Sequence, residues 1–194
     1  MVSKTTGICL FTVLSLWSLL FFLKSHNVLF LFKAVFCIVI AITFIIRNNT
    51  KKIDKGVLTV AVTFAHLCMP FFIQSTGMQI MPVRWSLLLF ILGMLISSLS
   101  AIDLWRSFGL LPANRGVIRG GVYCVVRHPI YLGYLLSFFG ALSHFFSLTN
   151  FLLFSIFIFL TIARILREEA LLKEENGYLA YSEKVRFRLI PGIY

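Results

Sequence analysis

Unbroken apolar blocks, each about as long as a bilayer is thick, constrain this chain more than any motif in it. Residues 7–23, 28–46 and 85–102 carry no charge except Lys33. A helix needs about 20 apolar residues to cross a hydrocarbon core. Continuous apolar runs without a two-residue alternation do not make barrel strands, so the spans are helices. Composition agrees, with 59% of residues hydrophobic and 13% charged, where a soluble domain carries about 25% charge. The expected fold class is an all-α integral membrane protein.

Six spans are expected, at residues 7–23, 28–46, 57–73, 85–102, 129–146 and 151–166. The first also resembles the apolar region of a signal peptide, but no small-x-small cleavage site follows and another span comes at once. Basic residues gather on one side: Lys4, then Arg47, Lys51, Lys52 and Lys55, then Arg106, Arg115, Arg119 and Arg127, then the tail. The other side has Lys24 and Arg84. By the positive-inside rule both termini face the cytosol, in an inner or plasma membrane. The net charge of +11 is thereby explained by topology and anionic headgroups, and no nucleic-acid partner is expected. Cys9, Cys37, Cys68 and Cys124 show no paired spacing, so neither disulfides nor a metal site is expected. Lys33 is expected to snorkel, His66 to hydrogen-bond to a neighbouring helix, and Asp103 to pair with Arg106. Gly133, Ser137, Gly140 and Ala141 share one helical face suited to close packing.

Chemistry concentrates after residue 103, which divides a region of four membrane helices (1–103) from a candidate catalytic region (104–194). Residues 104–126 are rich in arginine and glycine and read as a loop lying on the membrane face. Then comes Arg127-His128-Pro129-Ile130-Tyr131-Leu132-Gly133. Proline suits the first turn of a helix, so the fifth helix should start at Pro129. Arg127 and His128 then stand at its positive end, which favours an anionic group. An interfacial anchor is the plainer account of the same residues. The sixth helix should continue into the cytosol as far as Asn176-Gly177, with Glu168 and Glu169 just past the membrane. For those acids a solvated ion-pair face, with Arg164 four residues before Glu168, is the plainer account.

Together the two halves resemble the isoprenylcysteine carboxyl methyltransferase family, its bacterial members in particular, which is related to the phospholipid N-methyltransferases. The resemblance rests on Arg127, His128, Pro129, Tyr131 and Gly133; on Glu168, Glu169 and Leu172; on Tyr178 and Tyr181; and on Arg188, Leu189 and Pro191. It covers about residues 106–194. The family's usual FGxxYxxY is shortened here to Asn176-Gly177-Tyr178-Leu179-Ala180-Tyr181.

That resemblance implies S-adenosylmethionine as cofactor and a lipophilic acceptor entering from the bilayer. A cofactor site would draw on Tyr123, His128, Pro129, Tyr131, Gly133, Glu168 and Glu169. The acids suit the ammonium or the ribose hydroxyls; His128 and the helix start suit the carboxylate; Tyr131, Tyr123 or Tyr181 suits the sulfonium. Arg164, Tyr181 and Arg188 fall on the substrate side. Arg127 or Arg188 would orient an acceptor carboxylate, which needs no general base. An amine acceptor, as in the phospholipid enzymes, would have to lose a proton, with His128 nearest. Sterol and steroid reductases using NADPH share a similar HPxY and Arg-x-x-Pro, and they stand as the alternative enzyme class.

Overall fold

Prolines and small residues decide where the helices begin and end. A computed structural model describes residues 4–26, 28–46, 52–53, 56–109, 111, 113–114 and 117–194. The expected roles of Arg47, Lys51, Lys55, Arg115 and Gly116, and the Asp103–Arg106 pair through the Arg106 side chain, lie outside the described residues. Helices α1 (Lys4–Ser25) and α2 (Val28–Ile46) are followed by strand β1 (Lys52–Ile53) and α3 (Val57–Cys68). At Pro70 the chain tightens into a 3₁₀ turn, Met69–Phe72. Helix α4 (Val83–Leu104) starts directly after Pro82 and stops at Trp105, whose φ of 41° leaves the helical region. Strand β2 (Ala113–Asn114) pairs antiparallel with β1, Lys52 opposite Asn114. Helix α5 (Pro129–His144) has its proline in the first turn, as the sequence predicts. Helix α6 (Leu148–Leu172) is capped by Ser147, whose Oγ accepts from the Asn150 amide at 3.1 Å. A short α7 (Tyr178–Lys184) closes the series.

Among the described residues, three of the six expected spans, α1, α4 and α6, are helices long and apolar enough to cross a membrane. Helices α3 and α5 are shorter, with 12 and 16 residues, and α2 has 19 residues, apolar over Phe30–Ile46. Helix α6 begins inside the expected turn and ends at Leu172, ahead of Asn176-Gly177. Gly177, at φ 85°, instead opens α7, because glycine takes the left-handed conformation without a Cβ clash.

The closest helix contact is that of α5 on α4. A Cβ on Gly133 would lie 2.5 Å from the Gly93 carbonyl and 2.7 Å from the Ser97 amide. One on Gly140 would lie 2.6 Å from the Phe90 amide. The small-residue stripe thus lets two backbones touch, which is how helices gain packing where lipid offers no hydrophobic drive. Hydroxyls add to it: Ser137 Oγ donates to the Phe90 carbonyl at 3.2 Å and Ser97 Oγ to that of Ile130 at 3.3 Å. Outward faces carry exposed Leu88, Leu92, Leu95, Leu99, Leu152, Ile156 and Phe159. Apolar patches of that kind are stable against lipid. At one end of the bundle Asn150 ties the α5–α6 turn to Gln74, accepting from its amide and donating to its carbonyl, both at 3.0 Å. At the other end lie the start of α5, the end of α6 and the C-terminal segment.

Gly133→Val is expected to lower stability by about 1–3 kcal/mol through overpacking. Gly120→Ala, where an added Cβ meets nothing within 4 Å, should stay within about 0.5 kcal/mol of the native protein. Denaturant unfolding in detergent followed by circular dichroism measures both.

Candidate active site

The last residues of the chain hold the start of α5 in place. The Arg127 amide donates to the Phe187 carbonyl at 2.9 Å, and the His128 amide to that of Arg188 at 2.8 Å. The amides leading into α5 are therefore already spent, and side chains must supply most of the positive charge at this end. They converge on one carboxylate. Glu169, buried on α6, has Oε1 at 3.0 Å from Arg127 Nε and 3.3 Å from His128 Nε2. Its Oε2 lies 3.0 Å from both Nε and Nη2 of Arg188. Arg127 Nε approaches without hydrogen-bond alignment, while its Nη1 donates to the Ser182 carbonyl at 3.4 Å. Two guanidiniums against one acid leave this cluster with surplus positive charge.

Glu168 points elsewhere. Its Oε2 accepts from the Tyr131 hydroxyl at 2.9 Å, and the Arg164 guanidinium lies 5.3 Å from the Tyr131 ring centre. Arg164 and Glu168, four apart on α6, share a face, so the same helix directs one acid to the Arg127–Arg188 cluster and the other to the bundle interior. Arg164 Nη1 donates to His66 Nδ1 at 3.3 Å. His66 Nε2 is 3.0 Å from Thr161 Oγ1, which itself donates to the Phe157 carbonyl at 2.7 Å. Since the threonine proton is committed, the imidazole carries its proton on Nε2 and accepts on Nδ1. His66 thus bonds to a neighbouring helix, as expected, and its partner is the substrate-side arginine.

Around Glu169 stand phenols. The Tyr181 hydroxyl donates to the Tyr123 carbonyl at 2.8 Å. The Tyr178 hydroxyl is buried beside the Glu169 carboxylate, without a well-aligned hydrogen bond to it. Burial raises all three phenols above their ordinary range, Tyr181 to about 12, and the Glu169 charge raises Tyr178 further. They stay protonated, as donors, at any physiological pH.

Of the residues singled out from the sequence, Arg127, His128, Glu169 and Arg188 meet directly, and Tyr131, Arg164 and Glu168 form a second group. Tyr123 and Tyr181 touch each other, and Pro129 is buried in the first turn of α5. Gly133 stands apart from both groups, at the α4–α5 contact. The sequence reading missed Tyr178 and Tyr134 as site groups and had no partner for His66. A cavity of about 140 Å³ opens beside Glu168. Its walls are mostly apolar, among them Phe36, Ile40, Met94 and Phe138, with Arg164, His66 and Lys33 as its basic groups.

Residues 82–177 match the phospholipid methyltransferase family model. The match covers just under half of the chain, from the start of α4 to Gly177, and so includes Arg127, His128 and both acids of α6. It makes this region similar to that of membrane methyltransferases. No curated protein matches the chain.

Glu169→Gln should destabilise the protein by about 2–4 kcal/mol, because it leaves two guanidiniums facing an uncharged amide. Glu183→Gln, on the exposed face of α7, should change stability by less than about 0.5 kcal/mol. A phenol whose pKa is raised on folding contributes fully below its unfolded value and loses that contribution as pH climbs to the folded one. Tyr181, displaced from 10.0 to about 12, should therefore add an alkaline slope between those limits, up to about 1.4 kcal/mol per pH unit. Unfolding of the native protein and Tyr181→Phe from pH 8 to 12 should show the slope reduced in the variant.

Proposed function

We propose that the chain is an integral membrane S-adenosylmethionine-dependent methyltransferase acting on a lipophilic acceptor. The observation that supports it most is the meeting of Arg127 and His128, just ahead of α5, with Glu169 of α6, while the adjacent Glu168 lines an apolar cavity. The donor set suits the cofactor. The surplus positive charge of Arg127 and Arg188, with His128, fits a carboxylate, while Glu168, less buried than Glu169, fits an ammonium or ribose hydroxyls. When bound, the cofactor would supply an electrophilic methyl group on a sulfonium.

The chain's own part is placement and exclusion of water. Arg164 and Arg188 would draw an anionic acceptor headgroup to the mouth of the cavity, and the apolar walls would hold its body. A carboxylate is already nucleophilic, so these residues need only orient and desolvate it, as in isoprenylcysteine carboxyl methyltransferases. The match to the phospholipid methyltransferase model favours a second reading, N-methylation of a lipid amine. That acceptor must shed a proton, and His128, beside Glu169, is the imidazole that would take it. In either reading the mouth faces the cytosol, where the cofactor is dissolved, and the acceptor arrives from the lipid side.

Purified protein should bind labelled S-adenosylmethionine, and Glu168→Gln and His128→Ala should each weaken binding at least tenfold. Label transferred to a membrane lipid extract would name the acceptor by mass spectrometry. Binding of NADPH in place of S-adenosylmethionine would overturn the proposal in favour of a reductase.

A further inference from the structure

The cavity has a cation at each end, and only the one at the mouth is absorbed by the function proposed above. The other is Lys33, five residues into α2 and inside the bundle. Its Nζ donates to the Pro70 carbonyl at a long 3.4 Å and lies 5.2 and 5.7 Å from the ring centres of Phe30 and Phe71. Among the described residues no carboxylate pairs with it. An ammonium has three protons to give, and one weak bond and two aromatic faces leave it under-satisfied where water is scarce. It is part-buried and lines the cavity with Cys37, one turn along the same face.

A second donor in the same cavity is also unspent. Tyr134, one turn beyond Tyr131 on α5, lines the space with its ring edge-on to Phe36 at 5.7 Å. Its hydroxyl has no hydrogen-bond partner among the described residues. From the mouth inwards the polar groups therefore run Glu168, Arg164 with Tyr131, His66 with Tyr134, and Lys33 with the Pro70 carbonyl. Between them the lining is apolar apart from Cys37 and Ser137. Along α6 the lining runs from Phe157 to Glu168, and along α5 from Ile130 to Ala141, so the space is about 16 Å long. A cavity built only for an apolar tail has no use for a part-buried ammonium at its far end, since desolvating that charge is costly without an anion to meet it.

We propose that the cavity takes an elongated amphiphile with an anionic, hydrogen-bond-accepting group at both ends of its apolar body, the distal group being held by Lys33. Read with the methyltransferase proposal, this names the acceptor class: a bipolar lipophilic acid, whose proximal carboxylate meets Arg164. It deepens that reading, but its test is of binding and does not depend on methyl transfer.

The probes are α,ω-diacids of eight, ten and twelve carbons, each against its monoacid. Affinities for the full chain in nanodiscs are referred to free probe, after correction for partition into empty nanodiscs. The native protein should prefer at least one diacid over its monoacid by tenfold or more. Lys33→Met should bring that preference to within twofold, and Lys33→Arg should retain it. Equal affinities for diacid and monoacid in the native protein overturn the proposal. So does a preference that survives Lys33→Met or, if that variant does not fold, Lys33→Gln. A diacid preference in a protein that binds no S-adenosylmethionine would refute the methyltransferase reading and leave this one standing.

Discussion

One buried carboxylate joins the parts of this protein that sequence keeps apart. Glu169 meets Arg127 and His128 from the start of α5 and Arg188 from the C-terminal segment. A buried carboxylate is tolerable only when its charge is matched and its lone pairs are satisfied. That requirement fixes where α6 must end relative to α5 and forces the tail to fold back over both. The paired amides of Arg127 and His128 on the Phe187 and Arg188 carbonyls are the backbone counterpart of the same closure.

Once that knot is tied, the rest of the site is a matter of helix geometry. Glu168, one residue earlier, is turned about 100° around α6, away from the cluster and into the bundle with Arg164. The two acids, adjacent in sequence, thereby acquire different partners and different surroundings. Glu169 is satisfied by cations and acts as a structural hub for the mouth. Glu168 shares one hydrogen bond with Tyr131 and lines the cavity, which is the position from which an acid can serve a ligand. The close α4–α5 contact supplies the rigidity this needs, because glycines and serines at the interface let the backbones lock without long side chains between them.

The basic groups of the cavity come from α2, α3 and α6 and its tyrosines from α5, so no local motif announces them. His66 is alone in its apolar segment, with no partner within a helical turn, and only the antiparallel approach of α3 to α6 gives it Thr161 and Arg164. Lys33 reads as a snorkelling residue because sequence says how far it lies from a helix end but not which way it turns. Gly133 sits inside the motif that points to the cofactor, yet its neighbours are Gly93 and Ser97. Motif membership and spatial role part company there because a helix shows its successive residues to different neighbours.

What the sequence by itself determined is the class and the punctuation. Apolar blocks demand lipid and helices, since only helices satisfy their own amides in such runs; Pro129 opens α5, and the small-residue stripe selects a helix-packing face. The RHPxYxG and EExxL segments mark where chemistry should be sought. Only the tertiary structure decided the lengths of the helices, the partner of each acid, the capping of the α5 start by the tail, and the line of donors reaching Lys33. Charge pairing and cavity walls depend on distances between helices far apart in the chain, and such distances are settled by packing, which a linear pattern of residue types does not encode.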